Sequence, residues 1–243
     1  MKSRKTVHLR FFLCGLLLML IAAPIVYANS AKDVEAGLIS SELKDGGWKL
    51  LKKYGTDPTR FELLEDGSIR VIADDSNALI YRKISGDQAQ KRFLQWQWRV
   101  DERTRATNIV TKHDDDRPIA LYVAFNVDKK YQNWWVRWKN KLLYTVAGIP
   151  VSGKVLTYVW GGIGEIGDSY PNPYVKRIGV MNILQTSDSQ MNAWITEKID
   201  LMADFEKAFG HPAKSAHILA VSADSEDTKE RSVALLRDIV FID

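Results

Sequence analysis

The sequence predicts an all-β fold, a two-sheet antiparallel β-sandwich of the jelly-roll type. From Trp48 onward, apolar and polar residues alternate in short runs, the pattern of strands that bury one face. Turn residues such as Asp66 and Gly67 separate the runs, and glycine there supplies the positive φ that a tight hairpin needs. Only two stretches have helical spacing, and no repeat or linker interrupts the pattern. A single sandwich domain over residues 47–243 is therefore expected.

The predicted strands follow one another along the chain with turns between them. They comprise a hairpin over 60–73 and strands over 78–84, 93–100, 119–127, 154–162, 176–184, 192–199, 216–223 and 233–242. Within the strand over 93–100, the side chains of Leu94, Trp96, Trp98 and Val100 share one face. This predicts that both tryptophans belong to the core.

Two stretches predict helices. Residues 204–210 begin with an acidic residue and end with a glycine, which is typical of a short helix. Residues 129–148 place Trp134 and Trp138 four positions apart and Trp135 three before Trp138, so an inserted Trp-rich amphipathic helix is expected. Two interpretations of this helix stay open. Its tryptophans close one end of the core, or they face outward beside lysine and arginine side chains and contact a membrane surface or a protein partner.

The N-terminus has the parts of a secretory signal peptide over residues 1–28. Four basic residues come first, an apolar run spans 11–23, and small side chains occupy the cleavage positions that end at Ala28. Cleavage there predicts a periplasmic or secreted protein with a short lead-in over 29–46. The alternative is an uncleaved anchor, because the apolar run is near the lower length limit for a membrane span.

Charge and cysteine content exclude several classes of function. The chain carries 34 Lys and Arg against 30 Asp and Glu, and the excess of four lies in the predicted leader. The exported domain is then formally neutral, so no nucleic-acid partner is expected. The only cysteine, Cys14, also lies in the leader. Disulfides, thiol nucleophiles and thiolate zinc sites are therefore excluded from the domain.

Two glycine-rich stretches have the spacing of nucleotide-binding loops without the rest of the motif. Residues 148–154 end in a lysine, but Val155 stands where a P-loop needs Ser or Thr, and a strand follows. Residues 162–167 match the dinucleotide-binding glycine spacing, but two prolines stand where the helix should begin. Both stretches are interpreted as ordinary loops.

Carboxylates are the remaining candidates for a functional site. Three aspartates at 114–116 directly precede the strand over 119–127, and Asp224 and Asp227 lie in the loop between the last two strands. Strand ends gather at the two rims of a sandwich, so the two acidic groups can share a rim. The first interpretation is a solvated turn, because Asp hydrogen-bonds its own backbone. A calcium ion at Asp224 and Asp227 is an alternative, since calcium prefers several hard oxygen ligands.

A ligand site is the other interpretation of the earlier acidic stretch. Asp115, Asp116 and Arg117 offer acceptors and a donor at the mouth of a strand. Trp160 ends a strand directly before a glycine-rich loop, where an aromatic ring can stack on a sugar. Packing in the core is the competing interpretation for this tryptophan.

The order and spacing of several motifs resemble a known bacterial family. The motifs are "LQWQWRV", "DDRPIALYVAF", "LTYVW", "DFEKAFG" and "VSADSEDT". Together they resemble the domain of unknown function family numbered 3047 over residues 47 to 243. The resemblance implies a secreted or periplasmic β-sandwich shaped like galactose-binding jelly rolls, with no established activity. The resemblance implies functional positions at Asp115, Asp116, Trp160, Asp224, Asp227 and Asp238. This sequence departs from the family pattern at Ala120, where an arginine is expected.

Three functional hypotheses follow. The first is a non-catalytic periplasmic binding module for a glycan or another envelope polymer. The second is an enzyme that acts on a polysaccharide through two carboxylates facing each other across a cleft. The third is an envelope interaction protein that uses the Trp-rich helix as its contact surface. No cofactor is expected apart from the calcium ion of the alternative above.

Overall fold

The fold is a two-sheet β-sandwich, seen in a computed structural model that describes residues 25–26, 30–53, 55–131 and 153–243. Two short helices, α1 (Ser30–Glu35) and α2 (Ser41–Asp45), form the lead-in, and α3 (Leu201–Phe209) follows the eleventh strand. The strands, in chain order, are β1 (Ile25–Val26), β2 (Lys49–Lys53), β3 (Arg60–Leu63), β4 (Ile69–Asp74), β5 (Asn77–Lys83), β6 (Phe93–Glu102), β7 (Arg117–Asn126), β8 (Lys154–Trp160), β9 (Ser169–Pro171), β10 (Gly179–Gln185), β11 (Ile195–Asp200), β12 (Ser215–Asp224) and β13 (Arg231–Ile242).

The strands divide into a first sheet of eight strands and a second sheet of five. The first has the order β1-β2-β5-β12-β7-β8-β10-β9, and the second has the order β11-β6-β13-β4-β3. The predicted all-β sandwich is therefore confirmed. The two-residue strand β1 lies in the predicted leader and pairs with β2.

An aromatic stack joins the two sheets at the centre of the core. Trp96 and Trp98 of β6 meet edge to face, with ring centroids 5.3 Å apart. Across the gap between the sheets, Trp98 meets Trp160 at 5.5 Å and Trp96 meets Tyr158 at 5.7 Å. All four side chains are buried, as the alternation in β6 predicts for its two tryptophans.

One strand pair departs from the antiparallel arrangement that the sequence predicts. Strands β8 and β10 run parallel, with Gly179 opposite Val155 and Ile183 opposite Val159. The connection between them includes β9, which pairs antiparallel with the far side of β10. A connection of more than a dozen residues is long enough to return the chain to the same end of the sheet, so a parallel pair can form.

Helix α3 begins earlier than the sequence predicts because Asp200 caps it. The carboxylate of Asp200 accepts a hydrogen bond of 3.0 Å from the backbone N–H of Ala203. Gly210 ends the helix in the left-handed conformation. Leu201 and Phe205 point into the core, where the Phe205 ring lies 4.8 Å from that of Phe125.

The predicted Trp-rich helix falls mainly on residues outside the described ranges. Only Lys129–Tyr131 is described, as one turn of 3-10 helix. Trp134, Trp135 and Trp138 lie outside, so the core and surface interpretations both stay predictions. Within the part of the chain that the structure describes, no helix is long and apolar enough to cross a membrane.

Candidate functional site

The two acidic stretches that the sequence singles out meet at one rim of the sandwich. Strands β7 and β12 are antiparallel neighbours, so the start of one lies beside the end of the other, with Asp224 opposite Arg117. We call this group the rim cluster; its members are Asp115, Asp116, Arg117, Tyr122, Ser222 and Asp224. Apart from Tyr122, which is half-buried, these side chains are buried.

Arg117 supplies the positive charge of the rim cluster. Its Nη1 donates to the backbone oxygen of Asp115 at 2.7 Å and lies 3.4 Å from the Asp115 carboxylate and 4.0 Å from that of Asp224. Its Nη2 donates to the hydroxyl of Tyr122 at 2.7 Å, and that hydroxyl shares a hydrogen bond of 2.9 Å with Ser222. The guanidinium thus places its positive charge beside two of the buried carboxyl groups.

Asp116 fastens the loop after β12 to the start of β7. Its carboxylate accepts hydrogen bonds from the backbone N–H groups of Asp227 at 3.3 Å and Thr228 at 2.6 Å. Its own backbone oxygen accepts a hydrogen bond of 2.6 Å from the hydroxyl of Thr107. These bonds connect three segments that are distant in the sequence, which is a structural role.

The carboxyl group of Asp224 is the most perturbed acid of the cluster. Burial raises its pKa to about 8; Arg117 lowers it, whereas the charges of Asp116 and Asp115 raise it. Its Oδ1 has no hydrogen-bond partner among the described residues. Burial also raises the pKa of Asp227, with the same two carboxylates adding to the effect. The two raised pKa values share one cause, the burial of several carboxyl groups close together.

The geometry lends no support to a metal ion or to sugar stacking at the rim. No group of three or more His, Cys, Asp or Glu in the described ranges is arranged to hold a metal ion. Trp160 is 1% exposed and has no free ring face. Between Trp160, Asp116 and Gly161 lies a cavity of about 10 Å³, room for about one water molecule. Calcium at Asp224 and Asp227 and a ligand at Asp115, Asp116, Arg117 and Trp160 stay predictions.

A second site, which the sequence reasoning missed, is a groove between helix α3 and the edge of the first sheet. We call it the α3 groove; its volume is about 240 Å³. The residues that line it are Ser169, Tyr170 and Pro171 of β9, Val180 and Asn182 of β10, and Asp204, Lys207 and Ala208 of α3.

Asn182 lines this groove and carries a buried donor beside it. It lies opposite Ser169 in the register of β9 and β10, and its Oδ1 accepts a hydrogen bond of 2.6 Å from the Ser169 hydroxyl. This bond orients the amide, so that Nδ2 becomes the remaining polar atom. Nδ2 is buried and has no hydrogen-bond partner among the residues that the structure describes.

Asp204 supplies an acceptor on the opposite wall. Its Oδ2 accepts a hydrogen bond of 3.0 Å from the hydroxyl of Tyr158, which anchors the carboxylate to the core. Burial raises the pKa of Asp204, while the Tyr158 hydrogen bond and the charge of Lys207 oppose that rise. The groove thus combines a neutral donor with a half-buried carboxylate.

The sequence carries only a faint signal of this groove. Asn182 is the single polar residue of the run "VMNIL", and a polar side chain in a buried strand needs a partner. Asp204 is interpreted from sequence only as the start of a helix. Nothing local to either residue shows that α3 packs beside β10.

Comparisons with known proteins identify a family. The profile of the family described as protein of unknown function (DUF3047) matches residues 47–240, which confirms the resemblance found from the motifs. Among curated proteins, none matches this sequence. A solved structure with a similar arrangement is the xyloglucanase domain of NopAA, a type three effector from Sinorhizobium fredii, in complex with cellobiose. It is 5% identical, and the match covers 80% of this chain and 93% of that one with a TM-score of 0.43.

Proposed function

This chain belongs to the DUF3047 family, and we propose that it is a non-catalytic binding module that holds a glycan or a related envelope polymer in the α3 groove. Export to the periplasm or beyond, which the leader predicts, is part of this proposal. Contact with a membrane surface through residues 129–148 stays a separate prediction.

The buried, unpartnered Nδ2 of Asn182 is the observation that carries the proposal. A buried donor without a partner costs about 1–3 kcal/mol, so a turn of the Asn182 amide into the adjoining groove would be favoured by a ligand that supplies the acceptor. Asp204 offers the complementary acceptor on the facing wall. Sugar hydroxyls both donate and accept hydrogen bonds, so they can pair with the donor on one wall and with the acceptor on the other.

The apolar lining of the groove suits the carbon face of a sugar. Pro171, Val180 and Ala208 contribute apolar surface, whereas the ring of Tyr170 packs against Met181 and Ile183 on the other face of β10. The Tyr170 hydroxyl already donates to Asp168 at 2.8 Å, which fixes the ring. Ligand sites commonly combine such apolar walls with a few oriented polar groups.

The arrangement of carboxyl groups favours binding over hydrolysis. Glycoside hydrolysis generally needs two carboxyl groups on opposite sides of the bond that is cleaved. Among the described residues that line the α3 groove, Asp204 is the one carboxylic acid. In the rim cluster, all three carboxyl groups are buried, and those of Asp115 and Asp116 accept hydrogen bonds from their own neighbours.

Substitution of Asn182 tests the proposal. Asn182→Asp keeps the oxygen that Ser169 bonds and replaces the free donor by an acceptor. Affinity electrophoresis through gels containing soluble neutral or acidic polysaccharides measures binding. We expect at least one polysaccharide to retard the wild type and Asn182→Asp to weaken that binding about ten-fold or more. The matched control is Asn192→Asp, the same change on an exposed turn residue, which should bind as the wild type does.

A second pair of variants keeps the test decisive if Asn182→Asp folds poorly. Ala208→Phe fills the groove from α3, whereas Ala203→Phe adds the same ring to an exposed position of that helix. Binding should be lost in the first and kept in the second. No retardation of the wild type by any polysaccharide, or equal retardation of both phenylalanine variants, would overturn the proposal.

A further inference from the structure

We infer that the turn between β9 and β10 is a docking surface for the anionic headgroups of a lipid bilayer. We call it the basic tip; its members are Tyr174, Val175, Lys176 and Arg177, together with Lys112 of the loop before β7. The inference goes beyond the proposed function and does not depend on it, because the basic tip shares no residue with the α3 groove. Its supports are the order of the turn, its exposed apolar side chains and its unpaired charges.

Hydrogen bonds fix the backbone of the basic tip. The side-chain oxygen of Asn172 accepts from the backbone N–H groups of Tyr174 at 2.9 Å and Val175 at 3.2 Å. The backbone oxygen of Val175 accepts in turn from the N–H groups of Ile178 and Gly179, each at 2.9 Å. The turn therefore presents its side chains in one arrangement, and their exposure is a property of the fold.

Two neighbouring side chains of the basic tip leave apolar surface in water. Tyr174 is 51% exposed and Val175 is 41% exposed. The Tyr174 hydroxyl donates to the carboxylate of Asp115 at 2.8 Å, and this bond holds the ring at the surface. A tyrosine ring and an aliphatic side chain among basic residues are typical of surfaces that lie in a membrane interface.

The exposed charges of the basic tip all have the same sign. They belong to Lys112, Lys176 and Arg177. None of the three forms an ion pair with a residue that the structure describes. The ammonium group of Lys112 lies 5.3 Å from the centre of the Tyr174 ring, which brings a cation from another loop to the turn. Of the acids that follow Lys112, Asp114 pairs with Arg105 at 2.9 Å and Asp115 is buried, so the cations are left to attract an anionic surface.

The apolar side chains favour a bilayer over a soluble anionic polymer. Cations alone would serve to bind a polymer, whereas Tyr174 and Val175 gain an apolar environment where headgroups meet acyl chains. The leader predicts export to the periplasm, where two membranes are within reach. This surface is separate from residues 129–148, for which membrane contact is a different prediction.

Co-sedimentation with vesicles tests the role of the charges. The protein, in the form that the cell accumulates, would be mixed with vesicles of phosphatidylcholine and with vesicles that also contain phosphatidylglycerol. We expect tighter binding to the second kind, weakened about ten-fold or more by Lys176→Gln together with Arg177→Gln. The matched control is Lys49→Gln together with Lys83→Gln, two exposed lysines of β2 and β5, which should bind as the wild type does. No binding of the wild type, or equal binding of the two double variants, would overturn the inference.

A fluorescent label tests the apolar contact. Val175→Cys in a Cys14→Ser background carries the only thiol of the chain, so an environment-sensitive dye can be attached there. Its emission should shift to the blue with the phosphatidylglycerol vesicles, and the same dye on Val240→Cys, at an exposed position of β13, should not shift. If the dye at position 175 stays in water, the basic tip meets no bilayer and the inference fails. Neither result bears on the α3 groove, which polysaccharide binding tests separately.

Discussion

At the scale of single residues, Arg117 lies among carboxyl groups that come from separate parts of the chain. The sequence shows only an acidic triplet followed by an arginine and, a hundred residues later, another acidic loop. Folding places the guanidinium 4.0 Å from Asp224 and 3.4 Å from the carboxylate of Asp115. Removing one member of a buried charged network usually costs far more than breaking an exposed ion pair. Stability is therefore sensitive to the protonation of this cluster.

The pH dependence of stability should identify Asp224. Its folded-state pKa of about 8 lies above the ordinary value of 3.8, so between these pH values the native state holds a proton that the unfolded chain has lost. The stabilisation from this group is complete below pH 4 and is lost as pH rises to about 8, at up to about 1.4 kcal/mol per pH unit. Asp224→Asn stays neutral and should flatten this slope in urea unfolding measured from pH 5 to pH 8.

A control separates this effect from a general charge effect. Asp238→Asn makes the same change on a side chain that is 65% exposed and should leave the slope as in the wild type. An unchanged slope in Asp224→Asn would show that another group of the rim cluster holds the proton.

At the scale of elements, the β7–β8 pair begins at a glycine that no other residue can replace without strain. Gly153 has a φ of 115°, and a Cβ on it would lie 1.8 Å from the backbone oxygen of Phe125. Both the conformation and the close approach therefore require glycine. Gly210, which ends α3 at φ 71°, shares only the first requirement, because a Cβ there would meet nothing within 4 Å.

The two glycines give a matched pair of alanine variants. Gly210→Ala should cost roughly 1 kcal/mol, the penalty of a left-handed conformation. Gly153→Ala should cost clearly more, because the added methyl displaces the strand end as well. Urea unfolding of both variants measures the difference, and equal losses would mean that the backbone around Gly153 moves aside without cost.

At the scale of the whole molecule, the aromatic stack makes the two sheets one core. Trp98 touches Trp96 on its own strand and Trp160 on the other sheet, and its indole N–H donates to Glu197 at 3.2 Å. Trp194 lies half-buried at the start of β11, where the guanidinium of Arg237 stacks 4.0 Å from its ring. The two tryptophans are equal in size, and they differ in whether they join the sheets.

Truncation of these two tryptophans should have different costs. Trp98→Ala leaves a cavity between the sheets and should lower the free energy of unfolding by about 3–5 kcal/mol. Trp194→Ala loses a half-exposed ring and a cation–π contact, a cost of about 1 kcal/mol. Thermal unfolding followed by circular dichroism should give a much lower midpoint for the first variant. Similar midpoints would contradict a core shared by both sheets.

The alternation of apolar and polar residues in the sequence was enough to predict most of the strands and the side chains that they bury. Alternation in β6 predicted that Trp96 and Trp98 are internal, because a strand turns successive side chains to opposite faces wherever it lies in the fold. The sequence predicts that α3 begins at residue 204, whereas the helix begins at Leu201. The difference arises because the capping residue is Asp200, which lies upstream of the helical spacing.

Tertiary structure alone decided which of these candidate residues are buried and which line a groove. Asp116 and Trp160 carry the sequence signals of a site, yet the loop after β12 covers Asp116 and the second sheet covers Trp160. Asn182 and Asp204 carry almost no such signal, yet the packing of α3 beside β10 makes them face one groove. Local patterns set which face of a strand is apolar, whereas the accessibility of a polar atom depends on the segments that fold against it.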